Sequence, residues 1–290
     1  MSERLRPLEP KSNRGYDPTA IGLSFIVSVL MGAKKLSQTV MLGIDEPMKR
    51  LFGLKEIPSV STFTRFFRKI KQALIENIFL RWNNWLLNMR KNEVSKDGIT
   101  IDLDSSVFER YGKQEGAEVG YNPKKPGRPS HHPLFAIISD IKFVFHMWLR
   151  RGRTGSSSGV IEFMDEILGR LPEWIKIKVI RADSGFFSGK FFDYVESKNL
   201  LYMVVVKANK VVRKMIYGIK VENWINIARG ITIGETTYQA QSWSKERRLV
   251  VIRQELKERP TAQGRLFPEM PQYKYQIIAT NLSWMCKDIW

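Results

Sequence analysis

Cysteine and histidine are scarce in this sequence. Its 290 residues contain one cysteine, Cys286, and three histidines. A disulfide within the chain is therefore excluded, and a reducing cytosolic compartment is expected. His131, His132 and His146 do not have the spacing of a zinc site. The scarcity of both residue types excludes a small secreted protein held together by disulfides and argues against a structural zinc domain.

Long apolar runs are also missing. The most apolar early stretch, residues 20–31, is too short to span a bilayer, which takes about 20 apolar residues. Residues 1–17 are polar and charged, unlike a signal peptide. We therefore expect a cytoplasmic protein without a membrane partner.

Acidic residues are outnumbered by basic ones. The chain has 29 Asp and Glu against 47 Lys and Arg, a formal net charge of +18. Such a surplus favours a polyanionic partner, and nucleic acid is the natural one, so we expect association with the nucleoid. The chain is 43% hydrophobic and 11% aromatic, which is enough to build a core and excludes a disordered basic tail.

Two short segments place aspartates at the ends of apolar runs. Asp102 and Asp104 lie within residues 101–106, and Asp183 lies within residues 180–185. Carboxylates placed this way on neighbouring strands can hold hard divalent cations, which prefer oxygen ligands. A pair of such cations can clamp the attacking and leaving oxygens of a phosphodiester. The alternative is that these aspartates only cap turns, but together, in a basic chain, they predict a Mg²⁺ (or Mn²⁺) site that acts on nucleic acid.

The residue patterns predict an α/β fold in several parts. Residues 1–95 read as a helical N-terminal region and a candidate DNA-binding domain. Its segment 58–70 could be a helix-turn-helix element, although its phenylalanine spacing is more typical of a core. Residues 96–206 alternate strands with helices. Residues 207–274 are mostly β in character, and residues 275–290 return to the first layer.

The sequence resembles the DDE-type transposases of bacterial insertion sequences. The resemblance covers nearly the whole chain and rests on residues 57–65, 102–106, 120–130, 181–186 and 280–282. It implies a helical N-terminal region followed by an RNase H-like mixed sheet with helices, interrupted by the β-rich insertion. It also implies metal-dependent DNA cleavage and strand transfer at the ends of the element. Double-stranded DNA and further copies of the chain in a synaptic complex are the implied partners.

The resemblance assigns catalytic, metal-binding roles to Asp104 and Asp183. Asp104 precedes a small hydroxyl residue, as the first acid of the family does, and Asp102 stays a candidate because it lies two residues away on the same strand face. The third acid of the family lies in a Y-x-x-R-x-x-x-E pattern after the strand that ends near residues 280–282. The sequence ends at Trp290 before any such pattern. We therefore expect a truncated and impaired enzyme or, as the alternative, a non-catalytic DNA-binding fragment that inhibits transposition.

A basic loop at residues 120–133 is the first candidate for DNA contact. It has four prolines, two glycines and no acid, a composition that argues against regular structure. Its cations Lys124, Lys125 and Arg128 suit phosphate contact, and a solvated loop is the alternative. Another basic group, Arg150, Arg151 and Arg153, follows a strand.

Two further groups are candidates for DNA contact. Lys207 and Lys210 lie in a cluster without an acid, for which a solvated helix face is the alternative. Trp243 lies close to Arg247 and Arg248 in the β-rich segment. The resemblance implies that an insertion-borne tryptophan can stack an extruded base, and ordinary packing is the favoured alternative.

Overall fold

The computed structural model describes residues 8, 15–94, 96–256 and 273–289. Contacts within the chain divide it into two compact units, Met1–Met89 and Arg90–Trp290. Among the described residues, no helix is long and apolar enough to cross a membrane.

The first unit is helical, as predicted. Its helices are α1 (Pro18–Leu30), α2 (Glu46–Leu51), α3 (Val60–Arg68) and α4 (Gln72–Met89), with a 3-10 helix at Leu36–Gly43. The side chains of Asp17, Asp45 and Ser59 cap α1, α2 and α3 by accepting a backbone N–H of the first turn. Phe63 and Phe66 are buried. The helical spacing in segment 58–70 therefore builds a core.

The second unit contains twelve strands and four α-helices within its described part. The strands are β1 (Ile99–Ser105), β2 (Phe108–Glu109), β3 (Glu118–Val119), β4 (Pro129–His131), β5 (Leu134–Ile138), β6 (Phe143–Trp148), β7 (Ile177–Ala182), β8 (Tyr202–Val205), β9 (Ile225–Ala228), β10 (Ile231–Tyr238), β11 (Arg247–Glu255) and β12 (Tyr273–Thr280). The helices are α5 (Val160–Arg170), α6 (Gly189–Ser197), α7 (Lys210–Tyr217) and α8 (Cys286–Ile289).

Nine of these strands form one mixed sheet in the order β6-β5-β1-β7-β8-β12-β11-β10-β9. The pairs β1–β7 and β7–β8 are parallel, and the other pairs are antiparallel. This mixed sheet with its helices confirms the predicted fold class. The strands of the β-rich segment continue the same sheet through β12. The domain boundaries after residues 95, 206 and 274 stay predictions, and residues 257–272 lie outside the described part.

The alternation of buried and more exposed side chains along β1 shows which face of the sheet carries the aspartates. Ile99, Ile101 and Leu103 are at most 2% exposed and point to one face, because successive side chains of a strand point to opposite sides. Asp102 and Asp104 therefore lie on the other face.

A small three-stranded sheet, in the order β2-β4-β3, follows β1. It packs against the turn after β6 so closely that a Cβ on Gly152 would lie 2.2 Å from the carbonyl oxygens of Glu118 and Ser130. Only glycine leaves room for this backbone contact. The small sheet and that turn are thereby fixed to each other.

Candidate active site

Asp104 and Asp183 are brought together at the carboxyl ends of two neighbouring parallel strands. Leu103 of β1 is paired with Ala182 of β7, and each aspartate follows its paired residue directly. Neighbouring strands lie about 4.8 Å apart, and both aspartates are exposed. The two residues therefore lie next to each other at this edge of the sheet, exposed to solvent.

Asp102 lies on the same face but already has a cationic partner. Arg181, its neighbour in the β1–β7 register, donates from Nε to Oδ1 (2.6 Å) and from Nη2 to Oδ2 (2.8 Å). The hydrogen bond to Asp102 raises the pKa of Arg181, so the arginine stays charged. This bidentate pair compensates Asp102.

The carboxylate of Asp183 is oriented by the turn that follows it. Its Oδ1 accepts the backbone N–H of Gly185 at 2.8 Å, capping a 3-10 turn at Ser184–Phe186. A Cβ on Gly185 would lie 2.6 Å from the Cβ of Ser156. A glycine is therefore required for the close approach of the Ser156 loop to the Asp183 turn.

The donors at this edge fit a hard divalent cation. Mg²⁺ is usually bound by one or two carboxylates, with waters and substrate phosphates completing its octahedron. Asp104 and Asp183 supply two such carboxylates. Within the described ranges, no group of three or more His, Cys, Asp or Glu side chains is placed to hold a metal, so a third acid is not found beside this pair there.

The sequence reasoning missed Arg181, although a signal was present. Asp102 precedes Asp104 by two residues, and Arg181 precedes Asp183 by two. If Asp104 and Asp183 are neighbours on parallel strands, Asp102 and Arg181 must be neighbours as well. The equal spacing could have predicted this ion pair.

The basic loop is ordered by its own hydrogen bonds. Asn122 is 5% exposed, and its Oδ1 accepts the backbone N–H groups of Lys124 (3.2 Å) and Lys125 (3.0 Å). Lys125 Nζ forms an ion pair with Glu109 of β2 at 2.9 Å. The loop is also less irregular than predicted, because β4 lies inside it. Its cations are held beside the small sheet.

Lys207 and Lys210 lie at the start of α7. Asn209 caps this helix by accepting the N–H of Val212 at 2.9 Å. Val212 and Ile216 are buried, whereas Lys207, Lys210, Arg213 and Lys214 are exposed. This face suits both the predicted DNA contact and its alternative, a solvated face, so the contact stays a prediction.

Trp243 lies inside an aromatic cluster. It is 9% exposed, and its ring centroid lies 5.1 Å from that of Phe187, 5.2 Å from that of Tyr238 and 5.5 Å from that of Phe192. The structure thus gives Trp243 a packing role, the favoured alternative. Base stacking by Trp243 stays a prediction.

Arg247 and Arg248 have protein partners rather than open positions. The Arg247 side chain is 2% exposed and forms ion pairs with Asp193 and Glu196. Arg248 pairs with Glu235 at 2.7 Å and donates to the carbonyl oxygens of Leu282 and Trp284. These partners give both arginines a structural role, and the DNA contact predicted for them stays a prediction.

Comparison with known proteins identifies a family model that matches most of the chain. The model of the family described as transposase DDE domain group 1 matches residues 1–274. No curated protein matches the chain. Among solved structures, a cryo-EM structure of the piggyBac transposase synaptic complex with hairpin DNA is similar, with 15% sequence identity and a TM-score of 0.46. The match covers 98% of this chain and 57% of that one, so the chain spans little more than half the length of that protein.

Proposed function

Since the chain belongs to the DDE transposase family, group 1, we propose that it is the DNA transposase of an insertion sequence. Its activity would be metal-dependent cleavage and strand transfer at the ends of the element. The observation that carries this proposal is the pair of exposed carboxylates, Asp104 and Asp183, at adjacent ends of parallel strands. Nucleic acid as the substrate fits the net charge of +18.

Asp104 and Asp183 are the residues that would hold Mg²⁺ or Mn²⁺. When bound, the cation supplies Lewis acidity at the phosphate and makes a water or a 3′-hydroxyl a better nucleophile. Gly185 contributes by holding one oxygen of Asp183 in place. Arg181 contributes by neutralising Asp102, which leaves Asp104 and Asp183 as the carboxylates directed to the cation. Asp102 would then act as a partner of Arg181 rather than as a metal ligand.

Double-stranded DNA, both at the element ends and at the target, is the proposed partner. Lys124, Lys125 and Arg128 would contact its phosphates. Arg151 lies beside this surface: its side chain is 76% exposed and pairs with Glu118 at 3.6 Å, and its backbone bridges to His131 of β4. Lys207 and Lys210 are further candidates. We also propose self-association in a synaptic complex and association with the nucleoid.

A second candidate function is a non-catalytic DNA-binding fragment that inhibits transposition. The observation that favours it is the number of carboxylates at the site. Within the part of the chain that the structure describes, Asp104 and Asp183 meet without a third acid. With one ligand fewer, a cation would be held loosely, and small misplacements of reacting atoms can lower a rate by about 10²-fold.

A cleavage assay separates the two functions. The substrate is a supercoiled plasmid that carries this gene with its flanking DNA, incubated with the chain and Mg²⁺. The variants are Asp104→Asn and Asp183→Asn, and the control is Asp165→Asn, an exposed aspartate of α5 that accepts a hydrogen bond from Tyr194. A transposase nicks or excises at the element ends, and both active-site variants abolish this while the control retains it.

The opposite result supports the inhibitor. The chain would then bind the ends without cutting them and would reduce cutting by an active transposase on the same plasmid. Cleavage that persists in both active-site variants would contradict the assignment of Asp104 and Asp183.

A further inference from the structure

An exposed tyrosine stands beside the basic loop. Tyr111 follows β2 by two residues and is 72% exposed. The guanidinium carbon of Arg128 lies 4.8 Å from its ring centroid. Lys125 Nζ lies 5.8 Å from the centroid and 3.1 Å from the hydroxyl oxygen. Two cations therefore hold the ring while most of its surface stays open.

The backbone that leads to Tyr111 is fixed by hydrogen bonds. Arg110, the preceding residue, donates its N–H to the carbonyl of Pro129 at 2.9 Å. Its Nε donates to His131 Nδ1 at 2.9 Å, and His131 Nε2 lies 2.9 Å from the carbonyl of Glu115. The ion pair between Glu109 and Lys125 ties the loop to β2. Hydrogen bonds and an ion pair therefore fix the segment that carries the ring.

The position of Tyr111 relative to the aspartates is bounded by the chain itself. Tyr111 lies seven positions after Asp104 in the chain, and an extended chain spans at most about 25 Å between Cα atoms that far apart. One strand of duplex DNA rises about 3.4 Å per nucleotide. The Cα atom of Tyr111 therefore lies within about seven nucleotide steps of that of Asp104.

We propose that Tyr111 and Arg128 form a stacking platform for an unpaired nucleobase close to the cleaved phosphate, an inference that rests on the proposed DNA-cleaving function. Bases inside a duplex have their faces covered by neighbouring bases, so an open aromatic ring finds a free face only on an unpaired base or at the end of a duplex. An aromatic ring beside cations that track the backbone is how proteins bind single strands without reading sequence. Lys125 and Arg128 supply the cations here.

The test measures the affinity of the 290-residue chain for two DNAs by fluorescence anisotropy. One is a blunt duplex, and the other is the same duplex with a short single-stranded extension. The variants are Tyr111→Leu, which removes the ring, and Tyr111→Phe, which removes only the hydroxyl. Tyr121→Leu is the matched control, because Tyr121 lies in the same basic loop and is 71% exposed.

Tyr111→Leu should weaken binding of the extended duplex about 5- to 150-fold, which corresponds to the stacking of one base at about 1–3 kcal/mol. Its affinity for the blunt duplex should change much less, because that duplex exposes base faces only at its two ends. Tyr111→Phe and Tyr121→Leu should bind both DNAs as the wild type does. A Tyr111→Leu variant that keeps wild-type affinity for the extended duplex, or an equal loss in Tyr121→Leu, would overturn the platform alone. A wild-type chain that binds neither DNA would instead overturn the proposed function together with the platform.

Discussion

Replacing Arg247 by methionine should destabilise the second unit and leave DNA binding unchanged. The arginine side chain is 2% exposed, and its Nε and Nη2 contact the two oxygens of Glu196 at 3.1 and 3.2 Å. Nη2 also pairs with Asp193. The guanidinium carbon lies 5.1 Å from the ring centroid of Trp243 and 5.3 Å from that of Phe192. Methionine preserves much of the volume but removes the charge.

The size of the destabilisation depends on the partners that Glu196 keeps when Arg247 is replaced. Removing one partner of a buried ion pair costs about 3–5 kcal/mol. Glu196 is 14% exposed and keeps Lys245 and the hydroxyl of Tyr202 as partners, each at 2.9 Å, so we expect the lower end, about 3 kcal/mol. For a unit of this size, each kcal/mol lowers Tm by about 2–4 °C, which gives a decrease of about 6–12 °C.

The assay is thermal unfolding followed by circular dichroism at several pH values. Burial opposes ionisation of Glu196, but hydrogen bonds from Arg247, Lys245 and Tyr202 outweigh it and lower the pKa of this carboxyl below its ordinary value of 4.5. A lowered carboxyl pKa stabilises the fold above the ordinary value and loses this effect as pH falls through the folded value. The Tm difference between wild type and variant should therefore narrow below about pH 4.5.

A matched control is Arg213→Met, which changes an exposed arginine of α7 and should leave Tm unchanged. The reasoning is refuted if Arg247→Met keeps the wild-type Tm while the slope of log affinity for duplex DNA against log salt concentration becomes shallower by about 0.9. That combination would make Arg247 a phosphate contact, as its sequence neighbourhood predicted.

Two further predictions concern the basic loop and the small sheet. A triple alanine variant of Lys124, Lys125 and Arg128 should show a shallower slope of log affinity for duplex DNA against log salt, by about 1.8–2.7. Each lost phosphate contact changes this slope by about 0.9, and Lys125 counts only in part because Glu109 compensates its charge. Equal slopes for variant and wild type would identify a solvated loop. Gly152→Ala should lower Tm, because the added Cβ would lie 2.2 Å from two carbonyl oxygens. The control Gly169→Ala, in α5, has no atom within 4 Å of the added Cβ and should stabilise the fold by up to about 1 kcal/mol. Equal Tm values for the two variants would contradict the close packing around Gly152.

Local patterns predicted the strands that carry the aspartates. The apolar run before Asp104 lies in β1, which continues to Ser105, and the run before Asp183 ends with β7. The strand–helix alternation predicted the α/β layer. The pairing of Asp102 with Arg181 depends on the parallel register of β1 and β7. That register joins segments about eighty residues apart, so propensity in either segment alone does not reveal it.

The role of Trp243 could not be read from its neighbours in sequence. Basic residues follow it closely, which favoured DNA contact. Its surroundings are set by Phe187 and Phe192, which come from the segment around α6 about fifty residues earlier. A side chain's burial depends on such long-range packing, and composition near Trp243 contains no trace of it.

Binding of Mn²⁺, measured by electron paramagnetic resonance, tests most directly whether Asp104 and Asp183 together form a metal site. The proteins to compare are the wild type, Asp104→Asn, Asp183→Asn, Asp102→Asn and the control Asp165→Asn. We expect weaker Mn²⁺ binding in Asp104→Asn and in Asp183→Asn, because each removes one of two carboxylate ligands, and wild-type binding in the control. Unchanged affinity in either variant would contradict the site, and a loss confined to Asp102→Asn would make Asp102 the first metal ligand instead.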